Sequence, residues 1–428
     1  MYHLTYCHTI LYYYNKGEIA RKNLSGKGED GVKVCAITAE YNPFHKGHAY
    51  QLEQARRAGA THVIAVMSGN FVQRGVPAMM DKRVRTRAAI HGGVDLVLEL
   101  PLPYATASAE TFAYGALALM QATGCVEMVS FGAEDPLSEI QKALDVLLSK
   151  EFEPIFRLRL AGGGSYAAAR TQTVADLAGE ETAAVLTHPN NILAVEYLKA
   201  AHRLGFAPQW AAIPRKGSGH DQPGETQGMM SASYLRHLLE AVAWSEAQRG
   251  LLPVCLPIYQ QAFVSGEAPV RLVGLERNIL SVLRTRPLGW LAALPDMSEG
   301  LENRLYAGIR QAVSIVELYQ MVQSKRYPQS RARRMVLHAF LGVTAALQKK
   351  DPPYLRILGI GPRGEEILRK MKQTAILPVS QSLLRLSNAS EDARAFAQLE
   401  ASATDQYVLG MPRPKPCGYE LTAPVVKE

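Results

Sequence analysis

Between Lys33 and Leu148 the chain alternates short apolar runs with helical stretches, and this alternation leaves few folds open. Lys33–Ala39 is an apolar run, followed by a turn at Asn42-Pro43 and a helical stretch over Gly47–Ala58. His62–Met67 reads as the next strand, and Ser68–Ala78 as a loop. Asp81 stands where it caps a helix running to His91. Val94–Leu98 reads as a buried strand, Ala107–Thr123 as an Ala-rich helix and Glu127–Phe131 as a further strand. Pro136 opens a helix to Leu148. Apolar strands separated by helices imply a parallel sheet covered on both faces. The fold class expected is α/β, a Rossmann-like parallel sheet followed by a mainly helical domain.

Residues 150–245 read as more helical, with a strand at Pro208–Ile213 and a polar, Gly-rich loop over Arg215–Gly228. From Leu251 onward the periodicity is mostly helical. The expected division is therefore 1–31, 32–250 and 251–428. In the first segment Tyr12, Tyr13 and Tyr14 interrupt any apolar stretch, and Ser25-Gly26-Lys27-Gly28 is linker-like. With no hydrophobic core region and no cleavage site, this segment reads as a disordered extension or an upstream start, not a signal peptide.

Composition narrows the function classes. Hydrophobic residues make up 47% and charged residues 20%, enough for cores of ordinary size. No apolar run approaches the ~18 residues of a membrane span, so a soluble chain with no membrane partner is expected. Cys7, Cys35, Cys125, Cys255 and Cys417 form no CxxC pair, which argues against a zinc site and for a reducing cytoplasm. The net charge is +8, and residues 301–350 hold nine basic and two acidic residues. A local excess of that kind points to a polyanionic partner, or else to a solvated helical face.

The sharpest chemical signal is Thr38-Ala39-Glu40-Tyr41-Asn42-Pro43-Phe44-His45-Lys46-Gly47-His48. A buried strand ends, the chain turns, and a helix begins. This places His45 and His48 at the carboxyl end of a parallel strand beside a helix N-terminus, where free N–H groups and the helix dipole favour phosphate. Both imidazoles can donate to phosphate oxygens as charge builds in a transition state. Gly47 leaves room for a nucleotide against the backbone. Ser231-Ala232-Ser233 followed by Arg236 resembles a second phosphate-binding motif, with hydroxyls and an arginine at a helix start, a pattern that also reads as a simple cap. Lys46 is another candidate phosphate contact. Glu40, Glu99 and Glu134 lie at or near strand ends and are candidates to hold Mg²⁺ or orient a base. No resident metal site is expected.

The histidine string resembles the HxGH-type nucleotidyltransferase superfamily, and the chain as a whole resembles the bacterial tRNA(Met) cytidine acetate ligase family. The segments that carry the narrower resemblance are Glu40–His48, Val66–Gly75, Leu98–Pro101, Ser130–Glu134, His188–Leu193, Ser231–Arg236 and Lys325-Arg326-Tyr327 with the arginines after it. The family implies that acetate attacks the α-phosphate of ATP to give acetyl-adenylate. The acetyl group then passes to the wobble cytidine of elongator tRNA(Met), giving N4-acetylcytidine. Carried over by position, its ATP contacts are the segment from Thr38 through Ala49, Tyr50 and Gln51, with Gly132, Asn190 and Arg215. The loop Asn70–Arg74 follows the second strand on the same edge of the sheet, where a loop can cover the nucleotide or meet the tRNA. Lys325, Arg326, Arg331, Arg333 and Arg334 are candidate tRNA contacts, with Tyr327 placed to stack on a base. Two rival readings are a small-molecule adenylyltransferase and an RNA-binding protein with a vestigial nucleotide fold. The basic second half argues against the first, and the intact His45, Gly47, His48 and Arg236 against the second. No DNA partner is expected.

Overall fold

Five of the apolar runs pair side by side. β1 (Val34–Ala39), β2 (His62–Ser68), β3 (Leu96–Leu100), β4 (Val126–Ala133) and β5 (Gln209–Pro214) are all parallel, in the order β3-β2-β1-β4-β5. Every residue of β2 and β3 is buried, as both faces of a covered parallel sheet require. Cys35, Ile37 and Met67 pack into one core with Leu52 and Ala55 of α1 (Lys46–Arg57) and Ala88 and Ala89 of α2 (Lys82–His91). The alternate residues Ala36, Ile64 and Val66 are equally buried, and α3 (Ala109–Ala122) helps to cover β2 and β3. The computed structural model describes residues 31–163, 165–215, 225–226, 229–297, 300–324 and 327–428. The expected extension therefore lies outside the described residues, apart from Gly31.

The strand order reverses between β1 and β4. Crossovers leave a crevice at the carboxyl ends of the strands at such a point, and ligands of open α/β sheets bind there. The chain places Ala39 and Ala133 on either side of it.

Most expected elements appear within two residues of the sequence reading. Asp81 caps α2, its Oδ1 accepting from the Arg83 amide at 2.7 Å. The expected loop Ser68–Ala78 contains a small hairpin, Phe71–Val72 paired antiparallel with Val76–Pro77.

From Pro189 onward the chain is helical for long stretches, including α4 (Pro189–Leu204), α5 (Ala232–Glu240), α6 (Leu272–Arg284), α7 (Gln329–Leu341), α8 (Gly364–Thr374) and α9 (Glu391–Val408). A second core joins Leu275, Ile279, Met335, Phe340 and Tyr407, and the hairpin's Phe71 enters it. Strands also occur where the periodicity reads as helix. β6 (Leu355–Ile360) pairs antiparallel with β3, and β7 (Val379–Ser380) and β8 (Val426–Lys427) pair parallel with β6. The sheet thus draws on both sides of residue 250, and Lys33–Glu428 form one unit. A six-residue apolar run such as β6 cannot be told from a helix segment by periodicity. No helix among the described residues is long and apolar enough to cross a membrane.

Candidate nucleotide site

The site is built on the start of α1. His45 is its N-cap in an extended conformation, and its Nδ1 accepts from the Gly47 amide at 3.0 Å. His48 Nδ1 accepts in turn from the His45 amide at 3.3 Å. The two imidazoles form a reciprocal capping box in place of the usual hydroxyl and carboxylate. Their rings lie 3.9 Å apart between centroids, tilted by 31°. A ring nitrogen that accepts carries no proton, so each neutral imidazole is held as the tautomer with its proton on Nε2. Both histidines thereby become fixed N–H donors. A Cβ at Gly47 would come within 2.8 Å of His45 Cε1, so this glycine first makes room for the His45 ring.

The strand that leads in is held from behind. Tyr41 sits at φ +46 with its ring buried, edge-on to Phe44 and His48 at 4.9 Å each. A left-handed tyrosine is strained and persists only where its surroundings fix it. The Phe44 carbonyl accepts from the Tyr259 hydroxyl at 3.0 Å. Fully buried Arg85 donates to the carbonyls of Glu40, Ser68, Gly69 and Met80, pinning the ends of β1 and β2 together.

In front of this segment lies a cavity of about 540 Å³, inside the ~300–1,000 Å³ of small-ligand sites. Thr38, Ala39, Glu40, Tyr41, Asn42 and Gly132 supply its strand-end wall, and His48 and Gln51 its α1 wall. Asn190, Arg215, Ser233 and Arg236 also line it. An adjoining pocket of about 140 Å³ shares His48, Gln51, Gly132 and Arg215, and adds His45, Gly47, Tyr50 and Ser231. Residues drawn from positions 38 to 236 therefore meet at one place. Pro43, Phe44, Lys46 and Ala49 line neither pocket. Pro43 and Phe44 are buried, Lys46 is exposed, and Ala49 packs against the core.

Neighbouring groups preset the polar side chains. Arg215 Nη1 donates to Asn190 Oδ1 at 2.9 Å, and the Asn190 amide donates to Glu134. Glu134 also accepts from the Asn191 amide at 3.0 Å, so it serves this chain of bonds from outside the cavity. Ser231 caps α5, and Arg236 Nη1 donates to the Asn42 carbonyl at 2.8 Å. A Cβ at Gly132 would stand 3.4 Å from Arg215 Cγ, so the missing side chain leaves room for that arginine. Burial pushes the phenols of Tyr41 and Tyr197 above the usual range, keeping these walls neutral.

The three strand-end carboxylates separate. Glu40 lines the cavity, and its Oε1 accepts from the Gln73 amide at 3.0 Å. Glu99 does not reach it. The strand runs two residues further than expected and buries Glu99, which accepts from Lys82 Nζ at 2.5 Å and Arg356 Nη1 at 2.7 Å. Glu420 and Glu400 complete this cluster, with Lys82 Nζ at 2.8 Å from Glu420 and 3.9 Å from Glu400. Burial and the nearby Glu99 push Glu400 up to about 8, whereas Lys82 and Arg356 outweigh burial and hold Glu420 low.

The arginine group of α7 is half-buried. Arg331 stacks over Tyr327 at 4.8 Å, and Arg333 over Tyr319 at 5.8 Å. Burial and the charge of Arg334 pull His338 down to about 3. Lys325 and Arg326 lie outside the described residues, as does most of the loop after Arg215. The sequence reading did not find Tyr197, Glu240 or Val270–Val273, which also line the cavity. No spacing or motif marks them, because they arrive through packing of distant helices.

Comparison with known proteins gives a consistent result. The family model described as HIGH Nucleotidyl Transferase matches residues 32–419. The tRNA(Met) cytidine acetate ligase of Thermoanaerobacter sp. (strain X514) is 34% identical over 405 residues, covering 92% of this chain and 99% of that protein. The protein of the same name from Clostridium kluyveri (strain ATCC 8527) is 35% identical over 397 residues, covering 88% and 95%. The crystal structure of Thermotoga maritima TmcAL bound with alpha-thio ATP superposes with a TM-score of 0.86 at 31% identity, covering 92% of this chain and 99% of that one.

Proposed function

The chain belongs to the tRNA(Met) cytidine acetate ligase family of HIGH nucleotidyl transferases, and from that premise we propose that it activates acetate with ATP and acetylates the wobble cytidine of elongator tRNA(Met). The observation that carries this reading is the reciprocal histidine cap. It sets two N–H donors of fixed tautomer at the reversal point of a parallel sheet, beside a cavity of nucleotide size.

In the first step an acetate oxygen bonds to the α-phosphorus as the bond to the β-phosphate oxygen breaks, giving acetyl-adenylate and pyrophosphate. His45 and His48 donate to the phosphate oxygens where negative charge grows, without reorienting. Asn190 holds Arg215, and Asn42 holds Arg236, so both cations are ready for the polyphosphate. Thr38–Asn42 with Gly132 form the wall for the nucleoside. Mg²⁺, when bound with ATP, neutralises phosphate charge. Glu40, the cavity carboxylate nearest the histidine segment in sequence, would hold such an ion. In the second step the exocyclic amine of cytidine forms the C–N bond as the acyl C–O bond breaks. AMP leaves with that electron pair and the amine proton passes to solvent. The half-buried arginines of α7 hold the tRNA backbone.

The test is the product. Purified protein with ATP, Mg²⁺, acetate and elongator tRNA(Met) is expected to yield N4-acetylcytidine by nucleoside mass spectrometry, and other carboxylates to give less acylation. Nucleotide joined to a phosphorylated small molecule, with tRNA unmodified, is the result that would replace this reading with an adenylyltransferase.

A further inference from the structure

The hairpin that follows β2 belongs to two parts of the molecule at once. Its first residue, Phe71, is buried in the second core edge-on to Tyr407, with ring centroids 5.8 Å apart. The Tyr407 hydroxyl donates to the Ala78 carbonyl at 2.9 Å, just past the hairpin's end. The base of the hairpin is therefore anchored on α9. Its turn is fixed from two other directions. The Gln73 amide donates to Glu40, the residue that leads from β1 into the histidine pair. Gly75 sits at φ +75, and a Cβ there would lie 2.8 Å from the backbone of both Arg333 and Arg334. That is backbone seated against backbone, an approach only glycine permits.

Arg74 stands between these two fixed residues. Its side chain is exposed and lines the cavity. One residue thus puts a cation on the cavity wall while its neighbour rests on the arginine helix. In the acetate ligase reading a nucleic acid strand lies on Arg331, Arg333 and Arg334, and this turn joins that helix to the cavity wall. Phosphate contacts of that kind carry register and orientation.

We propose that Arg74 is a positioning residue for the second step, holding a backbone phosphate beside the reacting cytidine so that its amine meets the acyl carbon. The proposal rests on the acetate ligase reading above. Arg74 has no part in making the adenylate, for which Arg215, Arg236 and the histidines supply the charge. The bonds made and broken are those of the second step already written, and Arg74 exchanges no proton.

The test uses the full-length protein with Arg74→Ala and Arg74→Lys. Acetate-dependent ATP–pyrophosphate exchange is measured without tRNA, and single-turnover acetyl transfer with saturating tRNA(Met). Arg74→Ala is expected to slow transfer by about tenfold or more, the scale of a misplaced reactant, while exchange stays at the wild-type rate. Arg74→Lys is expected to recover most of the transfer rate, because a phosphate contact needs the charge. Loss of exchange in Arg74→Ala would assign the residue to ATP and overturn the proposal. Unchanged transfer would overturn it too, as would a defect confined to tRNA affinity. A wild-type chain that exchanges with acetate yet never acetylates tRNA would instead remove the reading on which the proposal stands.

Discussion

Two groups of charged residues stand at the same edge of the sheet, and they do opposite things. Lys82, Glu99, Arg356, Glu400 and Glu420 are each at most 3% exposed and are bonded to one another. A few strands away, Glu40, Arg215, Arg236 and His48 line an open cavity. The first group joins α2 and β3 to β6 and α9, so it locks the second half of the chain onto the sheet. In the second group Glu40 accepts from Gln73, Arg215 donates to Asn190 and Arg236 donates to the Asn42 carbonyl, and all three line the cavity with His48. A charged residue at a strand end is thus no guide to chemistry by itself. What separates the two groups is burial: the first is enclosed among its own ion pairs, and the second faces a cavity.

The largest effect is expected in the closed group. Lys82→Met leaves Glu99 with Arg356 alone and Glu420 with Arg356 and Arg83, and breaking a buried ion pair costs about 3–5 kcal/mol. Urea unfolding is expected to record that loss. A shift below about 1 kcal/mol would place the cluster among the pairs that contribute little.

Next comes the open group. His48→Ala removes one transition-state donor and is expected to slow acetate-dependent pyrophosphate release by about a hundredfold or more. Stability should fall by only about 1 kcal/mol, the cost of a lost cap. A normal rate in the variant would show that the histidine cap is architecture alone.

This contrast marks how far the sequence could be read. The strand–turn–helix string around His45 and His48 was legible because its residues are contiguous and their chemistry is local. The cavity walls formed by Gly132, Asn190, Arg215 and Arg236 were named through the resemblance to a family. The burial of Lys82 and Arg85 was hidden, since their partners lie as far away as Glu420. Glu99 looked like a site residue because strand ends are uncertain by a residue or two. Leu355–Ile360 read as helix for want of any period that separates a short apolar strand from a buried turn of helix.

A smaller effect tests the closed group by pH. The folded-state pKa of Glu400 lies above its unfolded value, so its stabilising protonation is complete below about 4.5 and is lost as pH rises towards 8. Below about 6.5 the buried His338 acts in the opposite sense, since its folded pKa is depressed. The clean window is therefore pH 6.5 to 8. Across it, wild-type stability is expected to fall by up to about 2 kcal/mol relative to Glu400→Gln, at about 1.4 kcal/mol per unit. Parallel curves for the two proteins would mean that Glu400 is ionised throughout.

The smallest effect sharpens the boundary between cavity and arginine helix. Changing Arg331, Arg333 and Arg334 together to Glu is expected to weaken tRNA binding and flatten its salt dependence by about 0.7–0.9 in log–log slope per lost phosphate contact. Tm should be compared in parallel, because these side chains are half-buried. Tyr327 and Tyr319 lose their cationic partners in the same variant. An unchanged slope in a folded variant would make this helix face a solvated surface and move the tRNA contact elsewhere.

The central claim is that the cavity beside the histidine cap joins acetate to the α-phosphorus of ATP. Oxygen isotope transfer tests it most directly. With acetate labelled at both oxygens, wild-type protein and tRNA(Met), the account predicts AMP carrying one labelled oxygen, because the bridging oxygen comes from acetate and stays on phosphorus when the acyl bond breaks. His45→Ala with His48→Ala should abolish that labelled product. Unlabelled AMP alongside acetylated tRNA, or labelled AMP formed undiminished by the double variant, would contradict the account.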